Sequence, residues 1–187
     1  MNWSLLLWIL IPSVLVILVI RYLYRTYNEL TYYLLKVEKK SSDIEAFLKK
    51  KFDLIPALAD VVRGYAKHEK DTFKEITDLR SQWGKTLNFA KKIKTANQID
   101  SIFSRLLVIQ ERYPKLKADK RFKEIMKSLR EVENELVKER KKYNEYVRKY
   151  NVRVKLFPKN IIATIFKFKE RPFYSREWVE LNNQKSI

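Results

Sequence analysis

The stretch FDLIPALADVVRGYAKHEK, Phe52 to Lys70, sets a proline inside an apolar periodic run, then one of the chain's two glycines, then its only histidine. It reads either as a ligand site or as a joint between helices. Proline disfavours helical geometry at the residue before it, here Ile55. In a first helical turn it is harmless, because those N–H groups have no intrahelical partner. With Asp53 as N-cap, Pro56 falls in such a turn, and the aspartate suits the positive end of a helix. The spacing therefore predicts a bend at Phe52-Asp53 between a first and a second helix. Gly64 then sits mid-helix, where glycine costs ~1 kcal/mol against alanine and usually marks close approach of a neighbouring helix. His68 is a poor metal ligand: zinc or di-iron sites need several His or Cys. No cofactor or metal is expected, and the joint is the better reading.

Composition agrees. The chain has 187 residues, two glycines, five prolines and no cysteine. Glycine-poor chains suit long helices and not phosphate-cradling loops. Without cysteine there is no disulfide framework, no thiolate zinc site and no cysteine nucleophile. Lys and Arg number 40 against 22 Asp and Glu, a net charge of +18, and every charged residue lies after position 20. A body this cationic implies an anionic partner surface.

The segment WSLLLWILIPSVLVILVI, Trp3 to Ile20, carries no ionisable side chain. At ~1.5 Å per residue its length is close to the ~30 Å hydrocarbon core of a bilayer. Arg21 and Arg25, with Tyr22 and Tyr24, suit the interface beyond it. A cleaved signal peptide would want a basic start, a shorter apolar run and a small-residue cleavage site, and none is visible. The positive charges all follow the span, so the positive-inside rule predicts the N-terminus outside and the body cytoplasmic at the cell membrane.

Beyond the span the apolar steps alternate three and four, through Tyr27, Leu30, Leu34, Val37, Ser41, Ile44 and Leu48. A further periodic stretch follows Leu58. A shorter helix ends at Tyr113-Pro114, and a long one, capped by Asp119, ends at Phe157-Pro158. The expected fold is all-α: an N-terminal transmembrane helix continuing into an antiparallel four-helix bundle. The expected divisions are an anchor over 1–24, a bundle over 25–157 and an amphipathic basic tail over 158–187.

KKKFDLIPALADVVRGYAKHE resembles the hallmark of the LemA family. Further blocks fall in the family's order: Tyr27-Asn28 with Leu30, Tyr143-Asn144 and Tyr150-Asn151, and FPKNIIATIFKFKERPFY from Phe157 to Tyr174. The motif positions are Asp53, Leu54, Ile55, Pro56, Gly64, Tyr65, His68, Glu69, Tyr143, Asn144, Tyr150 and Asn151. Two positions depart from the pattern, Ser41 for a tryptophan and Ala57 for an asparagine. The resemblance implies one N-terminal membrane helix and an internal helical bundle. It supplies no catalytic residue, and some relatives are tied to magnetosome membrane biogenesis, which hints at membrane organisation.

The predicted up-and-down order returns the last helix to the bilayer surface. The tail that follows interleaves apolar and basic residues, so Arg21, Arg25, Phe157, Lys159, Ile162, Phe166, Lys167, Phe168, Lys169 and Arg171 are candidate membrane-interface residues. The competing reading is that these residues cap the bottom of the bundle core. Tyr27 and Tyr150 are expected to pack across the first and last helices. The functional expectation is a non-catalytic scaffold or membrane-organising protein that binds anionic lipid headgroups or an acidic protein. The helix-1 seam leaves a homo-oligomer open. Nucleic-acid binding is the alternative, but tyrosines at heptad spacing are more often core than stacking platforms, and no nucleic-acid motif is present. An enzyme is disfavoured by the lack of a phosphate loop, a nucleophile arrangement or a ligand cluster. Glu131 and Glu135 share a helix face with lysines, an ordinary surface pairing.

Overall fold

The computed structural model describes residues 3–65, 70–85 and 89–174. The chain is all-α: α1 Trp3–Tyr65, α2 Lys70–Lys85, α3 Phe89–Arg112, α4 Pro114–Ala118, α5 Lys120–Lys155 and α6 Lys159–Ile165, with no strand among the described residues. The apolar N-terminal segment runs without interruption into the helix that follows it.

The expected joint between a first and a second helix is overturned. The bend at Phe52-Asp53 is absent, and α1 continues through Pro56 to Tyr65. Asp53 is an exposed residue inside the helix and not its cap. An interior proline costs ~3 kcal/mol. Against this, Leu48, Phe52, Ile55, Leu58 and Val62 form one apolar face, each at most 2% exposed. Burial of such side chains contributes roughly 1.5–3 kcal/mol apiece, so keeping the face continuous outweighs the local penalty. Gly64 also differs from expectation. It lies exposed in the last turn of α1, and among the described residues a Cβ there would meet nothing within 4 Å, so no described helix approaches it closely.

The chain divides into two compact units. One joins the chain up to Lys39 with Asn144–Phe173, and the other joins Lys40–Tyr143 with Tyr174. In the second unit the buried faces keep helical spacing. α3 contributes Ile93, Ala96, Ile99, Ile102, Leu106 and Ile109, and α5 contributes Phe122, Met126, Leu129, Val132 and Leu136. Polar pairs record the directions of the helices. Lys40 meets Glu139 at 2.8 Å, Lys51 meets Glu133, and the Tyr65 hydroxyl donates to Asp119 at 2.8 Å, so α5 runs antiparallel to α1. Lys92 with Glu45 and Asp100 with Lys51 set α3 parallel to α1. Trp83 of α2 stacks on Phe52 with ring centroids 4.2 Å apart.

Asp119 caps α5 as the spacing predicted: its Oδ1 accepts the Phe122 N–H at 3.0 Å. That bond, then the Tyr65 hydroxyl, holds the carboxyl below its usual range. The ends of α3 at Arg112 and of α5 at Lys155 also fall where the prolines placed them. Lys51 is the unit's surprise. Its side chain is 1% exposed, its ammonium donates to both Asp100 and Glu133, and it lies 5.3 Å from the centre of the Phe103 ring. Glu135 pairs with Lys138 at 2.7 Å, as a surface pairing should.

Candidate membrane-proximal site

In the first unit α1 is apolar and exposed on every side over Trp8–Ile20, from 49% at Val19 to 78% at Trp8. A helix with apolar side chains all round suits a large protein core or a bilayer. This one is not buried in the protein, and it is long and apolar enough to cross a membrane. Arg21 and Arg25 follow it, exposed.

One turn further on, α1 acquires a neighbour. Glu29 accepts from Arg153 Nε at 2.6 Å and from Lys159 Nζ at 2.5 Å. The Arg153 guanidinium lies 3.8 Å from the Tyr33 ring centroid and also donates to the Lys149 carbonyl at 2.7 Å. Tyr27 meets Phe166 and Phe168 edge-on, with centroids 4.9 and 5.6 Å apart. The aromatic partners of Tyr27 are thus the tail rings and not Tyr150, which is buried at 1% exposure. The tail folds back on the turn of α1 that follows the apolar stretch, beside the contact of Arg153 with Glu29.

Two local devices hold the tail. α6 buries Ile162 and Ala163 and ends in a Schellman arrangement. The Phe168 N–H donates to the Ala163 carbonyl at 2.8 Å and the Lys167 N–H to the Thr164 carbonyl at 3.2 Å. Lys167 adopts the left-handed conformation that the motif requires, φ 58°, and this turns Phe168 toward Tyr27. Further on, the Asn151 side chain grips the Arg171 backbone. Its Nδ2 donates to the Arg171 carbonyl at 2.7 Å and its Oδ1 accepts the Arg171 N–H at 2.9 Å. Arg171 also reaches Glu38 at 3.2 Å.

Asn151→Ala removes both bonds and is expected to cost about 1–2 kcal/mol, since each contributes ~0.5–1.5 kcal/mol net. The measurement is limited trypsin digestion read by mass spectrometry. Cleavage after Lys167 and Lys169 should quicken in the variant, while sites within α5 keep their rates.

Glu29 gives the site a pH dependence. Burial pushes its carboxyl upward, but hydrogen bonds from Lys159 and Arg153 outweigh that and hold it below its ordinary 4.5. A depressed carboxyl contributes stability that is present above the unfolded value and is lost as pH falls through the folded one. A spin label at Thr164→Cys should therefore gain mobility as the pH drops below about 4.5. Glu29→Gln should remove most of that dependence.

The ten candidate interface residues do not share one environment. Lys159 and Arg171 are engaged with Glu29 and Glu38, and Ile162 is buried. Phe166 and Phe168 face Tyr27. Phe157 is 78% exposed. Arg21, Arg25, Lys167 and Lys169 are exposed, with no ion pair among the described residues. Of the motif residues, Asp53, Leu54, Ile55, Pro56 and Gly64 lie along α1, and Tyr65 holds Asp119. Tyr143 is buried and Asn144 half-buried on α5. His68 and Glu69 lie outside the described residues. Glu29, Tyr33 and Arg153 escaped the sequence reading. The available signal was that Glu29 is the first acidic residue of the chain.

An all-α fold led by a helix able to cross a membrane defines the class. The chain belongs to the LemA family, whose model matches residues 40–186. Among curated proteins, Protein LemA of Metamycoplasma hominis is 28% identical over 129 residues, which cover 68% of this chain and 59% of that relative. The chain thus spans less than two thirds of that relative's length.

Proposed function

We propose that the chain is a single-pass membrane protein with its N-terminus outside and its body in the cytoplasm. It serves there as a non-catalytic scaffold or membrane-organising protein whose basic surface holds anionic lipid headgroups or an acidic partner. The observation that carries this reading is the gathering of Arg21, Arg25, Lys167 and Lys169 in the unit that contains the apolar helix. Each such cation near an anionic leaflet adds ~1 kcal/mol of attraction.

The reading is tested by transferring the detergent-purified full chain into vesicles. Phosphatidylcholine alone is compared with phosphatidylcholine plus phosphatidylglycerol, at low and high salt. A preference for the anionic vesicles that salt suppresses, and that is lost when the four cations are changed to glutamine, is the expected result. Equal uptake by both vesicles would count against lipid recognition.

A further inference from the structure

The tail presents a second set of residues that the basic pattern does not explain. Leu156 is 58% exposed, Phe157 78%, Ile161 51% and Ile165 64%. Ile161 and Ile165 are four apart on α6 and so share its outer face, opposite the buried Ile162 and Ala163. Leu156 and Phe157 lie in the turn between α5 and α6. Apolar side chains collected this way mark a contact surface more often than chance exposure does.

Their height along α1 identifies what covers them. Glu29 follows Ile20 by nine residues, ~13 Å of helix, and Arg153 and Lys159 are fixed to it. Within this unit α5 is antiparallel to α1: Arg153 is at Glu29, while Asn151 and its Arg171 partner lead to Glu38. Leu156 and Phe157, in the turn just past the end of α5, therefore lie on the span side of Arg153, within roughly 10 Å of the span's end. That is the depth of the headgroup layer, where an amphipathic segment lays its apolar face.

We infer that Leu156, Phe157, Ile161 and Ile165 form an apolar foot inserted at the headgroup–acyl boundary of the leaflet that α1 enters. Phe166 and Phe168 act differently: they clasp Tyr27 and fix the foot to the anchor. The inference rests on α1 lying in the bilayer. It adds that the tail is a second contact with the same membrane. A second copy of the chain or a protein ligand would satisfy the same surface without lipid, and the experiment separates them.

Because the chain has no cysteine, single spin labels can be placed in the full-length protein at Phe157→Cys, Ile161→Cys and Ile165→Cys. Arg148→Cys, exposed on α5 and ~14 Å farther from the span than Phe157, serves as control. Each protein is reconstituted in vesicles of phosphatidylcholine and phosphatidylglycerol. Collision with a water-soluble nickel chelate and with lipid-dissolved oxygen is then measured. The foot predicts a several-fold lower chelate-to-oxygen collision ratio at 157, 161 and 165 than at 148. Ratios equal to the control at all three positions overturn it, as does protection from both probes, which would mean a protein cover. Flotation of the same samples reports the anchor separately. Samples that float but show control ratios remove the foot and leave the anchor, whereas samples that fail to float remove both. Circular dichroism confirms that the labelled chains are folded.

Discussion

Lys51→Ala is expected to destabilise the chain by about 3–5 kcal/mol, the range for removing one member of a buried ion pair. Lys51 is sealed from solvent at 1% exposure, and its one ammonium answers two carboxylates on two other helices, Asp100 of α3 and Glu133 of α5. Alanine leaves a cavity between α1, α3 and α5, and it also leaves two like charges facing each other. The partial exposure of Asp100 and Glu133, 27% and 37%, lets water relieve some of that, so the lower end of the range is the better expectation. The triple change Lys51→Met, Asp100→Asn and Glu133→Gln should recover most of the loss, because an apolar side chain of similar length packs there without orphaned charge. Unfolding of the detergent-solubilised chain, followed by far-ultraviolet circular dichroism, compares the variants. A Lys51→Ala protein as stable as the parent would show that the triad carries no weight.

A pair of arginines in the span, Ile11→Arg with Val14→Arg, should abolish membrane insertion where either one alone only weakens it. Thirteen Leu, Ile and Val residues between Trp3 and Ile20 contribute about 0.3–0.6 kcal/mol each near the bilayer centre, on the order of 4–8 kcal/mol together. One central arginine costs about 2.5–3.5 kcal/mol and two cost about twice that. One charge leaves the sum favourable, and the second brings it to about zero or beyond. Alkaline carbonate extraction of membranes expressing each variant reads the result. The parent should stay in the pellet, the single variants should divide between fractions, and the double variant should be released.

Much of this was legible in the chain, and the failures share a cause. Eighteen uncharged residues announce a helix long and apolar enough to cross a membrane, and Pro114, Asp119 and Pro158 each mark a helix end where the chain does turn. Local chemistry decides those positions. Pro56 misleads because its local penalty is smaller than the burial gained by keeping Phe52, Ile55 and Leu58 on one continuous face. Lys51 could have been suspected, since it occupies the step between Leu48 and Ile55 on the apolar seam, yet two further lysines precede it and a lysine run is ordinarily solvated. The grip of Asn151 on Arg171 and the meeting of Tyr27 with Phe166 depend on the tail folding back. No periodicity within a single helix encodes such a contact across 20 or more residues.

The proposed arrangement puts the apolar end of α1 in the bilayer and the body on the cytoplasmic side. Sidedness labelling tests it most directly: one engineered cysteine at Asn2 and, in a separate protein, one at Arg148, each exposed to a membrane-impermeant maleimide. Intact cells should label position 2 alone, and inverted vesicles position 148 alone. Labelling of position 148 on intact cells, or a mature chain recovered in the aqueous fraction without its first twenty residues, would contradict it.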